Sequence, residues 1–339
     1  MKIFCLPYAG GSSSVFAKWK TYMSRDIEIV APELAGRGTR FNDEKYVSIQ
    51  SAADDIYSIF LKKINRNEKF AIFGHSMGCF IVYELYRRIY AEPGLRKNLV
   101  HIFMSGNYAP HLNNVHQHHT EFYKMGNEGM KHELKRLGGV SDEVLDDPLF
   151  TKYFMPIIRS DYYITETYIP EKIVKFCCGC TVFNGVEDDL TEEDLTSWKK
   201  YSPCGFSIKN FPGNHFFINE HCDLVIGQIR KILGNGVRNF FSGRRAVFGN
   251  RHTAERDNSF RHDRFGKRNT GNCKAGCINR MSVNNAVYVR SFLVDAHVHL
   301  DLRRRTESRI CLDHISLSIY LTDILRSHES FGYTSRCAE

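Results

Sequence analysis

Gly74-His75-Ser76-Met77-Gly78 has the pattern G-x-S-x-G, in which two small residues let the chain turn sharply and present a serine hydroxyl. The chemistry open to such a serine is acyl transfer. The pentapeptide recurs by chance, and a structural turn is the competing reading, so its flanks matter. An apolar run of strand length, Phe70–Phe73, leads in, and an apolar-periodic stretch, Cys79–Tyr90, leads out. Ser76 therefore falls where a strand meets a helix N-terminus, whose dipole favours developing negative charge. A serine is a poor nucleophile at neutral pH without a base and an acid that orients it.

On a strand–turn–helix scaffold of this kind the partners follow in the order Ser, Asp, His, each in a loop after a later strand. The run Thr181-Val182-Phe183 leads into Asn184-Gly185-Val186-Glu187-Asp188-Asp189, and Phe206-Ser207-Ile208 leads toward Phe211-Pro212-Gly213-Asn214-His215. His215 lies just before the last helical stretch and is the candidate base; a solvated loop histidine is the alternative. The acid is Asp188 or Asp189, with Glu187 a more remote choice. An oxyanion also needs donors. The Met77 N–H follows the nucleophile, and the loop Pro7-Tyr8-Ala9-Gly10-Gly11-Ser12 offers the N–H of Ala9 or its neighbour. That loop has neither the G-x-G-x-x-G nor the P-loop spacing, which argues against a nucleotide site.

These residues need a sheet with helices on both faces. Strand-length apolar runs occur at Ile3–Leu6, Ile27–Val30, Phe70–Phe73, Val100–Met104 and Cys180–Phe183. Most lack strict alternation, as expected for parallel strands buried on both faces. Helical stretches lie between them at Val15–Met23, Ser48–Ile64, Met77–Tyr90 and Glu192–Tyr201, and a last one runs from Glu220 to Leu233 with Gly234 as its expected C-cap. The alternation implies a doubly wound α/β sheet. Residues 107–175 interrupt it with helical pieces near Thr120–Arg136, Asp142–Phe154 and Arg159–Thr167, which reads as a lid.

The chain has 339 residues, 42% of them hydrophobic. No uncharged apolar run reaches the about 18 residues of a membrane span, and Ile3–Leu6 before Pro7 is too short for a secretory signal. Eleven irregularly spaced cysteines then read as reduced thiols of a cytoplasmic protein. The net charge of +8 suggests a polyanion partner until the chain is divided. Residues 1–234 carry 28 basic and 28 acidic side chains, so the whole excess lies in residues 235–339. Basic usage also switches there, from 18 Lys and 10 Arg to 2 Lys and 16 Arg, and all nine prolines precede the switch. The expected division is a hydrolase domain over 1–234 and an Arg-rich tail. The tail is either a basic extension for an acidic partner or nucleic acid, or not a selected protein sequence, such as a shifted reading frame. The second reading fits the abrupt switch better, and neither supports a function. The neutral first part argues against nucleic-acid binding.

The first 234 residues resemble the type II thioesterases of nonribosomal peptide and polyketide biosynthesis, an α/β-hydrolase family. The resemblance rests on Leu6–Ser12, Glu33-Leu34-Ala35-Gly36-Arg37-Gly38-Thr39-Arg40, Gly74–Gly78, Leu137-Gly138-Gly139 with Arg159-Ser160-Asp161, Gly185-x-x-Asp188 leading to Trp198, and Pro212–Phe217. It implies a mostly parallel central sheet with a helical lid, and a triad of Ser76, Asp188 and His215. It also implies oxyanion donors at Ala9 and Met77 and an acyl-serine route that needs neither cofactor nor metal. The implied partners are acyl- or peptidyl-carrier domains bearing phosphopantetheine, from which aberrant acyl or aminoacyl groups are removed. Within the fold the alternatives are a medium-chain acyl or chain-releasing thioesterase; outside it, a non-catalytic hydrolase-like binding module. Cys79, Asn184 and Asn214 depart from the family pattern.

Three weaker signals compete with bland readings. Cys177-Cys178-Gly179-Cys180 lacks a second cluster at ligand spacing and is expected to pack within a buried strand. His111, His116, His118 and His119 are expected in a solvated loop of the lid, with adventitious metal binding as the alternative. Asp295-Ala296-His297-Val298-His299 resembles the opening of an amidohydrolase barrel, but too little chain follows to build one.

Overall fold

The computed structural model describes residues 1–242 except Arg66 and residues 117–120, with the side chains of 235–242 also left aside. Six strands, β1 (Lys2–Leu6), β2 (Glu28–Val30), β3 (Phe70–His75), β4 (Leu99–Ser105), β5 (Gly179–Gly185) and β6 (Phe206–Phe211), form one sheet in the order β2-β1-β3-β4-β5-β6. Every pairing is parallel, and the apolar runs of the sequence fall in strands, except that Ile27 stands just before β2. Because side chains alternate across a strand, Phe4, Leu6, Phe70 and Ile72 enter one core layer while Ile3, Cys5, Ala71 and Phe73 enter the other.

Helices α1 (Trp19–Tyr22), α2 (Ile49–Lys63), α3 (Met77–Ala91) and α4 (Pro93–Arg96) connect the first four strands. Ser48 caps α2 by accepting from the Ser51 N–H, while the Ser51 hydroxyl reciprocates, and this fixes the helix start. α2 and α3 cover the first layer through Ile56, Phe60, Phe80 and Tyr83. Between β4 and β5 the chain forms α5 (Asn113–His116), α6 (Asn127–Leu137), α7 (Asp142–Leu145) and α8 (Met155–Glu166), with no strand among its described residues. Met130, Leu134, Val144, Phe150, Met155 and Ile158 give this insertion a small core of its own. α9 (Glu192–Thr196) precedes β6, and α10 (Phe217–Glu220) and α11 (Cys222–Ser242) follow it. Val225, Ile226, Ile229 and Leu233 of α11 cover the second layer with Phe16 and Trp19.

Several boundaries differ from expectation. The stretch 15–23 is a 3-10 turn, Ser13–Phe16, followed by the single turn of α1, and 192–201 is α9 followed by a second 3-10 stretch, Ser197–Tyr201. Phe150–Phe154 is a π-helical run that leads directly into α8. Gly234 does not end the last helix, which continues to Ser242. A glycine permits a left-handed C-cap but does not impose one, and inside a helix it costs only about 1 kcal/mol. β5 begins at Gly179, so Cys177 is exposed and Cys178 half-buried; only Cys180 packs in the core. The His111 ring packs at a tilt against Tyr201, and His116 stacks on Tyr108 while bonding Asp194, so neither belongs to a solvated loop. His118, His119, the stretch 295–299 and the rest of the Arg-rich tail from residue 243 lie outside the described residues.

Candidate active site

Ser76 is the one residue between β3 and α3, with φ 53° and ψ −119°. Among the described residues no other non-glycine has positive φ. Such a backbone costs about 1–3 kcal/mol and persists only where its surroundings dictate it. They do so here. The Ser76 N–H donates to Ser105 O, while Ser76 O accepts from the Cys79 N–H and from Asn107 Nδ2. A Cβ on Gly74 would stand 2.3 Å from Gly78 O, and one on Gly78 would stand 2.4 Å from Leu6 O. The two glycines of the motif are therefore demanded by the close approach of β1, β3 and α3. The Ser76 Oγ makes no hydrogen bond among the described residues.

β5 ends at Gly185 and its following turn is tied to the β6 loop, the Glu187 N–H donating to Gly213 O at 3.0 Å. This sets Asp188 Oδ2 2.9 Å from His215 Nδ1, with the two side chains only 5% and 16% exposed. Asp189 instead is exposed and ion-paired with Arg136 of α6, and Glu187 is exposed. Of the three acids left open by spacing, Asp188 is the one in contact with the histidine. With the carboxylate ionised, Nδ1–H is the donor and Nε2 is left with its lone pair. Asn214, one of the departures from the family pattern, accepts from the Phe216 N–H through its side chain and holds the loop on which His215 stands.

The His75 ring lies 5.0 Å from that of His215. His75 is fully buried, bonded through Nδ1 to Ser105 Oγ at 2.8 Å. Burial, reinforced by the neighbouring His215, pushes its pKa well below the usual histidine value. A neutral imidazole thus flanks His215 and adds no competing positive charge.

Pro7 to Ser12 leaves β1 in a tight turn closed by the Gly11 N–H donating to Tyr8 O at 2.9 Å. Gly10 at its third position has φ 78°, the left-handed value that a type II turn requires there. The Gly10 N–H donates to Asp161 Oδ2 at 2.7 Å. The N–H groups of Ala9 and Met77 make no hydrogen bond among the described residues, and each is one of the two donors expected from sequence. The fold therefore gathers a strained serine, a histidine–carboxylate pair and two unengaged backbone donors around the C-terminal ends of β1, β3, β5 and β6. That set can perform nucleophilic acyl transfer. Among the described residues no group of three or more His, Cys, Asp or Glu is placed to hold a metal.

In the sequence Arg37 and Asp161 stand only as landmarks of the family resemblance. In the structure they form a bidentate ion pair, Nη1 to Oδ2 at 2.5 Å and Nη2 to Oδ1 at 2.7 Å. A buried charged pair between a loop and an insertion has no local sequence signature. Asn107, bonded to Ser76 O, was likewise invisible, as was the role of His75.

The thioesterase domain family matches residues 1–233. Gramicidin S biosynthesis protein GrsT of Aneurinibacillus migulanus is 31% identical over 238 residues, covering 69% of this chain and 90% of GrsT. The medium-chain S-acyl fatty acid synthase thioesterase of Rattus norvegicus is 31% identical over 219 residues, covering 64% of this chain and 81% of the rat protein. The crystal structure of ClbQ from the colibactin nonribosomal peptide/polyketide pathway superposes with a TM-score of 0.64 at 28% identity, over 69% of this chain and 97% of ClbQ. With the parallel sheet, the elbow and the Asp188–His215 pair already in place, this chain belongs to the thioesterase domain family, hydrolases of thioester bonds on the α/β-hydrolase fold.

Proposed function

We propose that this protein is a type II, editing thioesterase, clearing aberrant or stalled acyl and aminoacyl groups from phosphopantetheine arms of carrier domains in a nonribosomal peptide or polyketide synthase. The observation that carries the chemistry is the Asp188–His215 contact at 2.9 Å beside the Ser76 elbow. The editing assignment is supported by the likeness to GrsT and ClbQ.

In this reading His215 Nε2 takes the Ser76 proton as Oγ attacks the thioester carbonyl. The oxyanion is held by the N–H groups of Ala9 and Met77, the thiol leaves with the proton from His215, and an acyl-serine forms. His215 then activates water and the acid departs, with Asp188 fixing the tautomer and stabilising the imidazolium throughout. Each of these steps uses protein groups and water alone. The insertion 107–175 acts as the lid over the acyl chamber. The working partner is an acyl- or peptidyl-carrier domain, and the protein works in the cytoplasm with its synthase, without nucleic acid. Among the described residues no helix is long and apolar enough to cross a membrane. In this division the hydrolase takes residues 1–234, and the Arg-rich sequence after it is a tail to which no function is assigned.

The rat relative, equally identical at 31%, supports a second reading, a medium-chain acyl thioesterase. One experiment separates the two: incubation with carrier proteins loaded with acetyl, aminoacyl or long-chain groups, following release by intact mass. Editing predicts fast clearance of acetyl and aminoacyl groups; selective release of medium or long chains would overturn it.

A further inference from the structure

We propose that Arg37 and Asp161 are positioning residues that set the oxyanion loop from the insertion, a role that rests on the Ala9 donor assigned above. Asp161 is on α8, inside the insertion, and Arg37 is in the loop after β2; the two side chains are 3% and 4% exposed. Such burial is tolerated only where hydrogen bonds satisfy both charges. Asp161 Oδ1 takes Arg37 Nη2, and Oδ2 takes Arg37 Nη1 together with the Gly10 N–H. Arg37 Nη1 also donates to Gly11 O at 3.2 Å, and Nε to Ala35 O at 3.4 Å.

The ion pair thus holds the turn after β1 from two directions, by the N–H of Gly10 and the carbonyl of Gly11. Ala9 is the residue immediately before. Three donors follow one another in this turn. Gly11 is used to close it, Gly10 is used by Asp161, and Ala9 is left for the reacting oxygen. Without the ion pair, the Gly10 N–H and the Gly11 carbonyl have no fixed partners, the turn that closes on Tyr8 O loosens, and the Tyr8–Ala9 peptide that carries the Ala9 N–H is no longer held in one orientation. Misplacing such a donor by about 1 Å costs on the order of 100-fold in rate, comparable to losing it. The insertion therefore does more than cover the site. α8 is part of the apparatus that aims Ala9, and it must stay docked while the donor works.

Single substitutions would strand a buried charge and could unfold the protein, so the test is the charge-neutral pair Arg37→Met with Asp161→Leu in the full chain. The rate is measured well below the melting temperature of the variant. We expect kcat to fall about 10- to 100-fold, with KM for an acyl-carrier substrate within about threefold. Affinity for an acyl trifluoromethyl ketone, a mimic of the tetrahedral intermediate, should fall by a factor similar to that in kcat. Amide exchange at Gly10 should accelerate, while the pH–rate profile keeps its shape. A double variant with kcat and inhibitor affinity within twofold of the parent overturns the positioning role. Ala9→Pro keeps the two readings apart. Proline suits the second position of a type II turn and removes only the donor. If Ala9→Pro retains the parent kcat, the oxyanion assignment falls and this inference with it; if Ala9→Pro is crippled while the double variant is not, only the positioning role falls.

Discussion

Asp188 Oδ2 lies 2.9 Å from His215 Nδ1, whereas the carboxylate of Asp189, the next residue, turns outward to Arg136 and is 69% exposed. Residues 186–189 form a turn, closed by the Asp188 N–H donating to Gly185 O, from which one acid reaches the histidine and its neighbour reaches the insertion. Asp188→Asn removes the charge that stabilises imidazolium and leaves the wrong tautomer accessible. We expect a loss of about 10⁴-fold in kcat by analogy with triads of this type. Asp189→Asn removes only an exposed ion pair worth about 0–1 kcal/mol, and kcat should stay within a few-fold. Steady-state turnover of both variants on one acyl-carrier substrate decides the matter; an inactive Asp189→Asn would reverse the assignment.

Ser76→Ala tests the nucleophile itself. No other hydroxyl occupies the elbow, and losing the nucleophile of a triad costs about 10⁶-fold in kcat. Residual activity within tenfold of the parent would exclude the acyl-serine route. The melting temperature should not fall, because Ser76 Oγ bonds nothing among the described residues and its backbone contacts survive the change.

Glu166, at the end of α8, accepts the N–H groups of Phe122 and Tyr123, yet burial raises its pKa from 4.5 to about 7. A carboxyl whose pKa is raised on folding binds more protons in the folded state than in the unfolded chain. Its contribution to stability is therefore full below about pH 4.5 and is lost as pH rises through about 7. Glu166→Gln stays neutral and should lose less stability across that window. Melting temperatures of parent and variant, taken between pH 5 and pH 8, should converge at the acid end and separate at the alkaline end. Parallel curves would show that Glu166 is not the group responsible.

The sheet was legible because parallel strands buried on both faces must be continuous apolar runs; Phe70–Phe73 and Val100–Met104 could hardly be anything else. The elbow was legible because its glycines answer a local steric demand: Gly78 abuts Leu6 O. The acid was legible only through the Gly185-x-x-Asp188 landmark of the resemblance, since Asp188 and Asp189 are chemically identical, and in space the loop tie from Glu187 to Gly213 separates them. Arg37 and Asp161 are 124 residues apart, and their pairing is a tertiary fact. α11 continues past Gly234 to Ser242 because a glycine permits a helix to end but does not require it.

A carrier-bound thioester should be hydrolysed with a higher kcat/KM than the same acyl group on a short thiol. Contacts far from the scissile bond lower the barrier through binding energy that the short thiol cannot supply. Parallel measurements with an acetylated carrier protein and acetyl-cysteamine should differ by at least about tenfold, or about 1.4 kcal/mol. Equal values would favour a generic acyl thioesterase.

The last expectation concerns where the enzyme ends. Ser76, Asp188, His215 and the turn carrying Ala9 all precede residue 216, and the family match closes at residue 233. Among the described side chains, those by which α11 covers the sheet include Val225, Ile226, Ile229 and Leu233. Residues 1–234 are charge-neutral, whereas the remainder carries the whole +8 excess. A cut after Gly234 would shorten a helix that runs to Ser242, and a cut after Ser242 avoids that. The 1–242 chain should keep the parent kcat within about twofold and its melting temperature within about 2 °C, since 1 kcal/mol corresponds to about 2–4 °C in a domain of this size. It should also lose any salt-sensitive retention on a heparin column, because only Arg238 of the excess positive charge remains. A drop of 5 °C or more, or a tenfold loss of turnover, would show that residues beyond 242 belong to the enzyme, and the division drawn from the Lys-to-Arg switch would be wrong.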